Sequence, residues 1–149
     1  HRVAPMLLYA LIRQESQFNP RAISSADALG LMQIIPPTAA QVAGWLRLRP
    51  PTRKSMLEPN LNIRLGSRYL AYLLKRYRGR MAHAVAAYNA GPLRVDRWKK
   101  RHGDRPIDEW VEEIPFDETR DYVKRVLSGY IGYRQRFGAD ASPVMARKR

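Results

Sequence analysis

The sequence predicts an all-α protein with a single domain, and three observations support this fold class. Apolar residues recur every three or four positions along nearly the whole chain. Signals typical of β-strands are essentially absent, and there is no internal repeat or low-complexity linker. The chain has 149 residues, of which 45% are apolar, so it is long enough to bury a hydrophobic core as one domain.

The first predicted helix carries an apolar face that starts at Val3. It is expected to end at Asn19-Pro20, because the residue before a proline disfavours helical backbone. Small residues at positions 22–30 predict a loop, and positions 31–35 predict a short helical turn before two prolines.

Thr38 and Gln41 have the spacing of a capping box, which predicts that the second helix starts at Thr38 and runs to about Trp45. The segment 47–59 is rich in proline and basic residues. We therefore expect it to be a loop.

The rest of the chain predicts further helices, separated by glycine and proline. Their expected ranges are 61–77, 81–90, 93–100, 108–113 and 117–137. Gly91-Pro92 closes one of them in the usual order of Gly then Pro, and Asp117 is a suitable N-cap for the last. The predicted domain spans 1–138, followed by a basic C-terminal tail at 139–149.

The formal net charge is +14, and it is unevenly distributed, since Glu15, Asp27 and Glu58 are the only acidic residues before position 96. Such a surface attracts polyanions, which include nucleic acids, anionic wall polymers and membrane surfaces. No cysteine is present, so disulfides and thiolate chemistry are excluded. We expect no transmembrane segment and no signal peptide within these residues, and we expect any targeting signal to lie outside them.

Glu15 is the most informative single residue, because it continues an apolar stripe formed by Leu8, Leu11 and Ile12. A carboxyl group at such a position should be desolvated, which raises its pKa and keeps a proton available near neutral pH. Cleavage of a glycosidic bond requires such a proton donor. On this evidence alone, a glutamate that reaches solvent or pairs with an arginine is an equally open interpretation.

Several short motifs accompany Glu15 in a fixed order along the chain. They are Glu15-Ser16, Asn19-Pro20, Gly30-Leu31-Met32-Gln33, Pro36 with Thr38-Ala39, Ala87-Tyr88-Asn89-Ala90-Gly91, Ile114-Pro115-Phe116, Glu118-Thr119-Arg120 and Tyr122-Val123. This set resembles the soluble lytic transglycosylases, whose lysozyme-like fold is related to goose-type lysozyme. The last motifs are similar to the branch in which this domain follows a large helical superhelix, so a further N-terminal helical domain is expected.

The resemblance implies a peptidoglycan lytic transglycosylase with a saccharide-binding groove. Glu15 would act first as general acid and then as general base, and the product would be a 1,6-anhydro-MurNAc end. The implied partner is a peptidoglycan glycan strand in the periplasm or cell envelope of a bacterium. The resemblance implies no metal, no cofactor and no nucleic acid.

By the same resemblance, six further residues would contact or orient the saccharide. They are Ser16, Ser24, Gln33, Tyr88, Asn89 and Glu118. Each also has an ordinary structural interpretation, such as a helix-end serine, a core tyrosine or a glutamate that stabilises a helix N-terminus. The sequence departs from the family pattern at Asp27, where a glycine is usual.

Two other functions stay open at this point. A lysozyme-type hydrolase with the same fold would cut the same bond but would leave reducible ends. A basic, non-catalytic module that binds wall polymer or nucleic acid would also account for the charge, although no helix-turn-helix, zinc motif or aromatic strand platform supports it.

Overall fold

The computed structural model describes residues 3–102 and 105–138, and these residues form eight α-helices. The helices are α1 (Pro5–Ser16), α2 (Pro36–Trp45), α3 (Arg53–Met56), α4 (Pro59–Arg76), α5 (Met81–Ala90), α6 (Pro92–His102), α7 (Ile107–Glu112) and α8 (Asp117–Phe137). Extended pairing in this part of the chain is limited to two isolated bridges that join Leu29 to Ile23 and to Ile34. The all-α prediction is confirmed, while the predicted tail 139–149 lies outside the described residues.

Helix α5 is the centre of the fold. Its residues from Ala82 to Ala87 are all buried, and four of these six are alanine. Small side chains on every face allow α4, α6 and α8 to pack closely around the same helix. None of the helices in the described ranges is both long and apolar enough to cross a bilayer.

Helices α1 and α8 form the second major contact and bring distant parts of the chain together. A Cβ atom at Gly129 would lie 3.4 Å from the Cβ atom of Ala10, so two small residues meet where the helices cross. Leu7 and Leu11 on α1 and Val126 on α8 are buried in the common core. This crossing places the C-terminal end of α1 beside the first turns of α8.

The side chain of Asn62 fixes the loop between α1 and α2. Asn62 lies on α4 and is 1% exposed. Its Nδ2 atom donates to the carbonyl oxygens of Leu29 (2.8 Å) and Met56 (2.7 Å), and its Oδ1 atom accepts from the backbone N–H of Met32 (2.7 Å). Backbone groups thus satisfy three of the four hydrogen-bonding capacities of this amide.

Gly30 completes this contact, because the loop backbone lies directly against the asparagine. A Cβ atom at position 30 would lie 2.4 Å from Nδ2 of Asn62, and the backbone φ of +75° also favours glycine. Gly66 on α4 allows a second close approach of the loop, because a Cβ atom there would lie 2.4 Å from the sulfur of Met32.

The predicted start of the second helix at Thr38 is wrong. Helix α2 begins at Pro36, and the structure shows no capping hydrogen bond from a side chain. Two prolines occupy its first positions, where a missing N–H costs nothing and a fixed φ suits the helix. Positions 31–35, where a short helical turn was expected, consist of turn residues and one bridge residue, Ile34.

Three other helix boundaries also differ from the prediction. Helix α1 ends at Ser16, before Asn19-Pro20, because Gln17 and Phe18 adopt left-handed backbone. The expected loop 47–59 contains α3, whose start is capped by the hydroxyl of Thr52. Asp117 is the first residue of α8 and not its N-cap, which is Phe116.

Replacement of Asn62 by alanine is expected to lower the free energy of unfolding by about 3 kcal/mol, because three backbone groups lose a buried partner. Urea denaturation would measure this, with Asn60→Ala as the matched control on the exposed face of the same helix. A loss below about 1 kcal/mol for Asn62→Ala would show that the loop is held by other contacts.

Candidate active site

A groove of about 560 Å³, called the Glu15 groove here, is formed by the loop between α1 and α2, the end of α5 and the start of α8. Its lining combines one buried acid with hydroxyl, amide and aromatic groups. The lining residues are Glu15, Ser24, Ser25, Ala26, Ala28, Gln33, Ile34, Ile35, Thr38, Tyr69, Tyr88, Asn89, Ala90, Gly91, Arg94 and Glu118. Its size and mixed lining are typical of a small-molecule or saccharide site.

Glu15 enters this groove from the last turn of α1. Burial raises the pKa of its carboxyl group from 4.5 to about 7, and the negative charge of Glu118 acts in the same direction. The hydroxyl of Tyr122 donates to Oε1 of Glu15 at 2.5 Å, which opposes the shift by favouring the carboxylate. The prediction that Glu15 is desolvated is confirmed.

Two tyrosines flank the acid and remain neutral. Burial and the nearby charge of Glu15 raise the pKa of both Tyr88 and Tyr122 well above the ordinary value. Tyr88 donates its hydroxyl to the carbonyl oxygen of Met32 at 2.8 Å and packs against the ring of Tyr69 at 5.5 Å. Both hydroxyls therefore act as hydrogen-bond donors and not as bases.

Ser24 and Gln33 lie in the opposite wall, as the resemblance implies, and each also shapes the loop. The Ser24 hydroxyl oxygen accepts from the backbone N–H of Ala28 at 3.0 Å. The Gln33 amide donates to the carbonyl oxygens of Gly30 (2.9 Å) and Ala22 (3.1 Å). Neither the Ser24 hydroxyl proton nor the Gln33 side-chain oxygen has a hydrogen-bond partner among the described residues, so both keep capacity for a ligand in the groove.

Asn89 and Glu118 line the groove near the start of α8. Thr119 donates its hydroxyl to Oδ1 of Asn89 at 2.7 Å, which leaves the Asn89 amide hydrogens available. Glu118 is exposed and lies in the first turn of α8, where a negative charge also stabilises the helix.

Ser16 is the predicted site residue that the structure does not bring into the groove. It is 8% exposed, and its hydroxyl lies 2.8 Å from the carbonyl oxygen of Leu31 and 3.1 Å from that of Ile12. It therefore joins α1 to the loop and does not line the saccharide path. Any effect of Ser16 on Glu15 is through the position of the helix end.

Asp27 adopts the left-handed backbone expected at a usual glycine position, with φ of +63°. Its carboxylate pairs with Arg53 at the start of α3 and does not line the Glu15 groove. Glu118, and not Asp27, is the acid whose charge raises the pKa of Glu15.

Sequence reasoning assigned no role to Tyr122, Thr119 or Arg94. Tyr122 and Thr119 lie on the buried face of α8 with Val123 and Val126, so periodicity predicts burial but not the partner. Arg94 donates to the carbonyl oxygen of Ala90 at 3.0 Å and lines the groove. The pairing of Tyr122 with a residue 107 positions away could be found only from the fold.

The described residues contain no group of three His, Cys, Asp or Glu side chains that could hold a metal ion. The side chains of the Glu15 groove offer proton transfer by Glu15, together with hydrogen bonding by the neutral tyrosines and the amides.

Comparison with known proteins agrees with this geometry. Residues 1–111 match the family described as Transglycosylase SLT domain. The chain is 42% identical over 142 residues to the soluble lytic murein transglycosylase of Salmonella typhimurium, which covers 92% of this chain and 21% of that protein. The chain thus spans about a fifth of the length of the soluble relatives it matches.

Two solved structures are similar over most of the chain. The lytic transglycosylase Slt from Pseudomonas aeruginosa, solved as an inactive glutamate-to-glutamine mutant, has 40% identity and a TM-score of 0.85, over 90% of this chain and 22% of that one. The 70-kDa soluble lytic transglycosylase from Escherichia coli has 37% identity and a TM-score of 0.88, over 92% of this chain and 22% of that one. The expected lysozyme-like fold of these proteins is confirmed.

Removal of the Tyr122 hydroxyl by Tyr122→Phe is expected to raise the pKa of Glu15 by about one unit, because the carboxylate loses a donor. Carbon-13 NMR of the Glu15 carboxyl would follow this titration. Tyr88→Phe is the matched control, since the Tyr88 hydroxyl donates to Met32 and not to Glu15. An unchanged or lowered pKa in Tyr122→Phe would contradict the assignment.

The raised pKa also predicts a dependence of stability on pH. The folded protein holds the Glu15 proton more tightly than the unfolded chain does. The stabilisation that this proton gives is therefore fully present below pH 4.5 and is lost as the pH rises through 7. Relative to Glu15→Gln, the wild type should lose about 3 kcal/mol of unfolding free energy across this range. Parallel urea titrations in the two proteins would test this, and a constant difference would refute it.

Proposed function

Because this chain belongs to the transglycosylase SLT domain family, we propose that it cleaves the β-1,4 bond between N-acetylmuramic acid and N-acetylglucosamine in peptidoglycan glycan strands. The observation that carries the proposal is a buried carboxyl group, Glu15, with a pKa of about 7 inside a groove. This group holds a proton at neutral pH for a substantial part of the time, which is the state that a general acid needs.

In the first step, Glu15 donates its proton to the glycosidic oxygen while the bond from that oxygen to the anomeric carbon breaks. The leaving sugar departs as an alcohol, and positive charge develops at the anomeric carbon and ring oxygen. Glu15 is then a carboxylate, and the Tyr122 hydroxyl stabilises it by donation.

In the second step, Glu15 takes the proton from the 6-hydroxyl of the same muramic acid, and the freed oxygen bonds to the anomeric carbon. This closes a 1,6-anhydro ring and returns Glu15 to its protonated form, so protons balance over the cycle. An attacking group on the same sugar has a high effective concentration, which removes the need to position a water.

The other groove residues would bind and orient the saccharide. Ser24, Gln33 and Asn89 offer a hydroxyl and amides that suit the hydroxyl and N-acetyl groups of a sugar. Tyr69 offers an aromatic surface against which a sugar ring can pack. The Slt neighbour's inactivation by a glutamate-to-glutamine change supports an essential glutamate in such a groove.

A lysozyme-type hydrolase is the second candidate, because Glu118 places a second carboxylate near Glu15. A second carboxylate beside the acid is the arrangement by which hydrolases activate water or stabilise the intermediate. Glu118 lies close enough to raise the pKa of Glu15, yet it is exposed at a helix start. The anhydro or reducible nature of the product ends distinguishes the two reactions.

We further propose that the chain acts in the bacterial cell envelope as one domain of a longer protein. The soluble relatives are about five times longer than the matched region, which supports a place in a longer protein. The net charge of +14 would attract the chain to anionic wall polymer, with a strong dependence on salt.

The central test is digestion of purified sacculi, with the products resolved by mass spectrometry. Glu15→Gln is expected to reduce anhydro-muropeptide release about a thousandfold, because it keeps the shape of the side chain but has no acidic proton. Glu58→Gln is the matched control, since Glu58 is an exposed glutamate that precedes α4.

Reducible ends from the wild type would instead identify a hydrolase. Equal activity of wild type and Glu15→Gln, with both folded, would refute a catalytic role for Glu15.

A further inference from the structure

A buried hydroxyl on α8 holds one of the polar side chains that line the Glu15 groove. Thr119 lies in the first turn of α8 and is 2% exposed. Its hydroxyl donates to Oδ1 of Asn89 at 2.7 Å, which joins α8 to the last turn of α5. Asn89 is among the residues that line the groove, and Thr119 is not. The side chain of Thr119 therefore meets the groove through the amide of Asn89.

This hydrogen bond fixes which end of the Asn89 amide is left for a ligand. The torsion that turns an asparagine amide is broad and nearly two-fold, so an unbonded amide presents either its oxygen or its NH2 group. Because Oδ1 is bound to Thr119, the hydrogens on Nδ2 are the groups without a partner among the described residues. A threonine side chain is also stiff at χ1, which fixes the direction of its hydroxyl.

The charges in the groove favour the same orientation of the amide. A threonine hydroxyl can donate or accept, so this hydrogen bond alone would also allow the reversed amide. Glu15 and Glu118 line the groove together with Asn89, and Arg94 is the cation in the lining. The dipole of an amide turns its hydrogens toward negative charge. Asn89 therefore offers hydrogen-bond donors to the groove.

A pair of amide donors selects for an acceptor on the ligand. A carbonyl oxygen has two lone pairs and no proton, so it accepts from an amide N–H without a competing donor. The N-acetyl group is the substituent that supplies such a carbonyl on an aminosugar. A plain hydroxyl at the same place brings a proton of its own and is a less suitable partner.

We propose that Thr119 is a positioning residue of the Glu15 groove. It holds the donors of the Asn89 amide toward the saccharide and so gives the groove a preference for sugars that carry an N-acetyl carbonyl. The inference rests on the proposed function for its class of ligand. Thr119 supports binding and has no part in proton transfer, which Glu15 performs.

The first test is a binding measurement with the 149-residue chain that carries Glu15→Gln, which removes turnover. Two neutral β-1,4-linked probes are titrated, the tetramer of N-acetylglucosamine and the tetramer of glucose. Thr119→Val replaces the hydroxyl with a methyl group and should weaken binding of the N-acetylglucosamine tetramer about fivefold, while binding of the glucose tetramer stays within about twofold. Thr119→Ser keeps the hydroxyl and should recover most of the loss.

This comparison has three outcomes that would overturn the proposal. The first is an equal loss for both probes in Thr119→Val, and the second is no loss for either. The third is a Glu15→Gln chain that binds the two tetramers equally well before any change at position 119.

A double-mutant cycle shows whether Thr119 acts through Asn89. Asn89→Ala should weaken binding of the N-acetylglucosamine tetramer about tenfold, and the addition of Thr119→Val should weaken it by no more than about twofold further. A full fivefold loss in the Asn89→Ala background would contradict the proposal, because Thr119 would then act by supporting the fold.

Asn89→Asp tests the donor end of the amide and leaves Thr119 unchanged. An aspartate keeps one oxygen for the Thr119 hydroxyl and presents a second oxygen in place of the NH2 group. It should bind the N-acetylglucosamine tetramer as weakly as Asn89→Ala does. Binding as tight as that of the asparagine protein would show that the amide hydrogens are not used.

Kinetics with the active chain separates positioning from proton transfer. On soluble glycan strands, Thr119→Val should raise KM about fivefold and leave kcat within about twofold. A lower kcat with an unchanged KM would contradict the proposal. The binding results do not depend on cleavage, so they support or overturn the role of Thr119 even if the wild type releases no anhydro product.

Discussion

The shape of the Glu15 groove depends on one buried amide. Asn62 bonds the backbone at Leu29, Met32 and Met56 with a single side chain, and Gly30 allows the loop to approach it. The loop that forms one wall of the Glu15 groove has turns and two bridge pairs of its own, and α4 fixes its position through Asn62. Ser16 and Tyr88 add bonds from α1 and α5 to the same loop. The wall is therefore rigid although it is not a helix or strand.

A second constraint is the maintenance of a protonated acid in a strongly basic protein. With a net charge of +14, most positions would lower the pKa of a carboxyl group. The pKa of Glu15 is instead raised, because its carboxyl group is buried among tyrosines and because the charge that acts on it is that of Glu118 and not of an arginine. Most cationic residues lie on exposed surfaces away from the groove, and Arg94 is the arginine among its lining residues. Tyr122 limits the shift, because its hydroxyl donates to the carboxylate.

The fold class and most helices could be predicted because they follow from local periodicity and from glycine and proline signals. The groove residues Ser24, Gln33, Tyr88, Asn89 and Glu118 were identified by resemblance and not by spacing, since they come from separate elements. Tyr122 was missed because its partner lies 107 residues away, and no local pattern encodes such a pair. The capping box at Thr38 failed because Pro36 is a stronger helix start than a hydroxyl two residues later.

The hydrogen bonds that hold the groove wall do not depend on which side chains the loop carries. Ser16, Asn62 and Tyr88 all bond to main-chain atoms of the loop and not to its side chains. Every residue type carries the same carbonyl, so side chains on the groove side of the loop can diverge between lineages while its path is kept. A single scaffold can in this way acquire different ligand preferences through substitutions at positions such as 25 and 26, with little cost in stability.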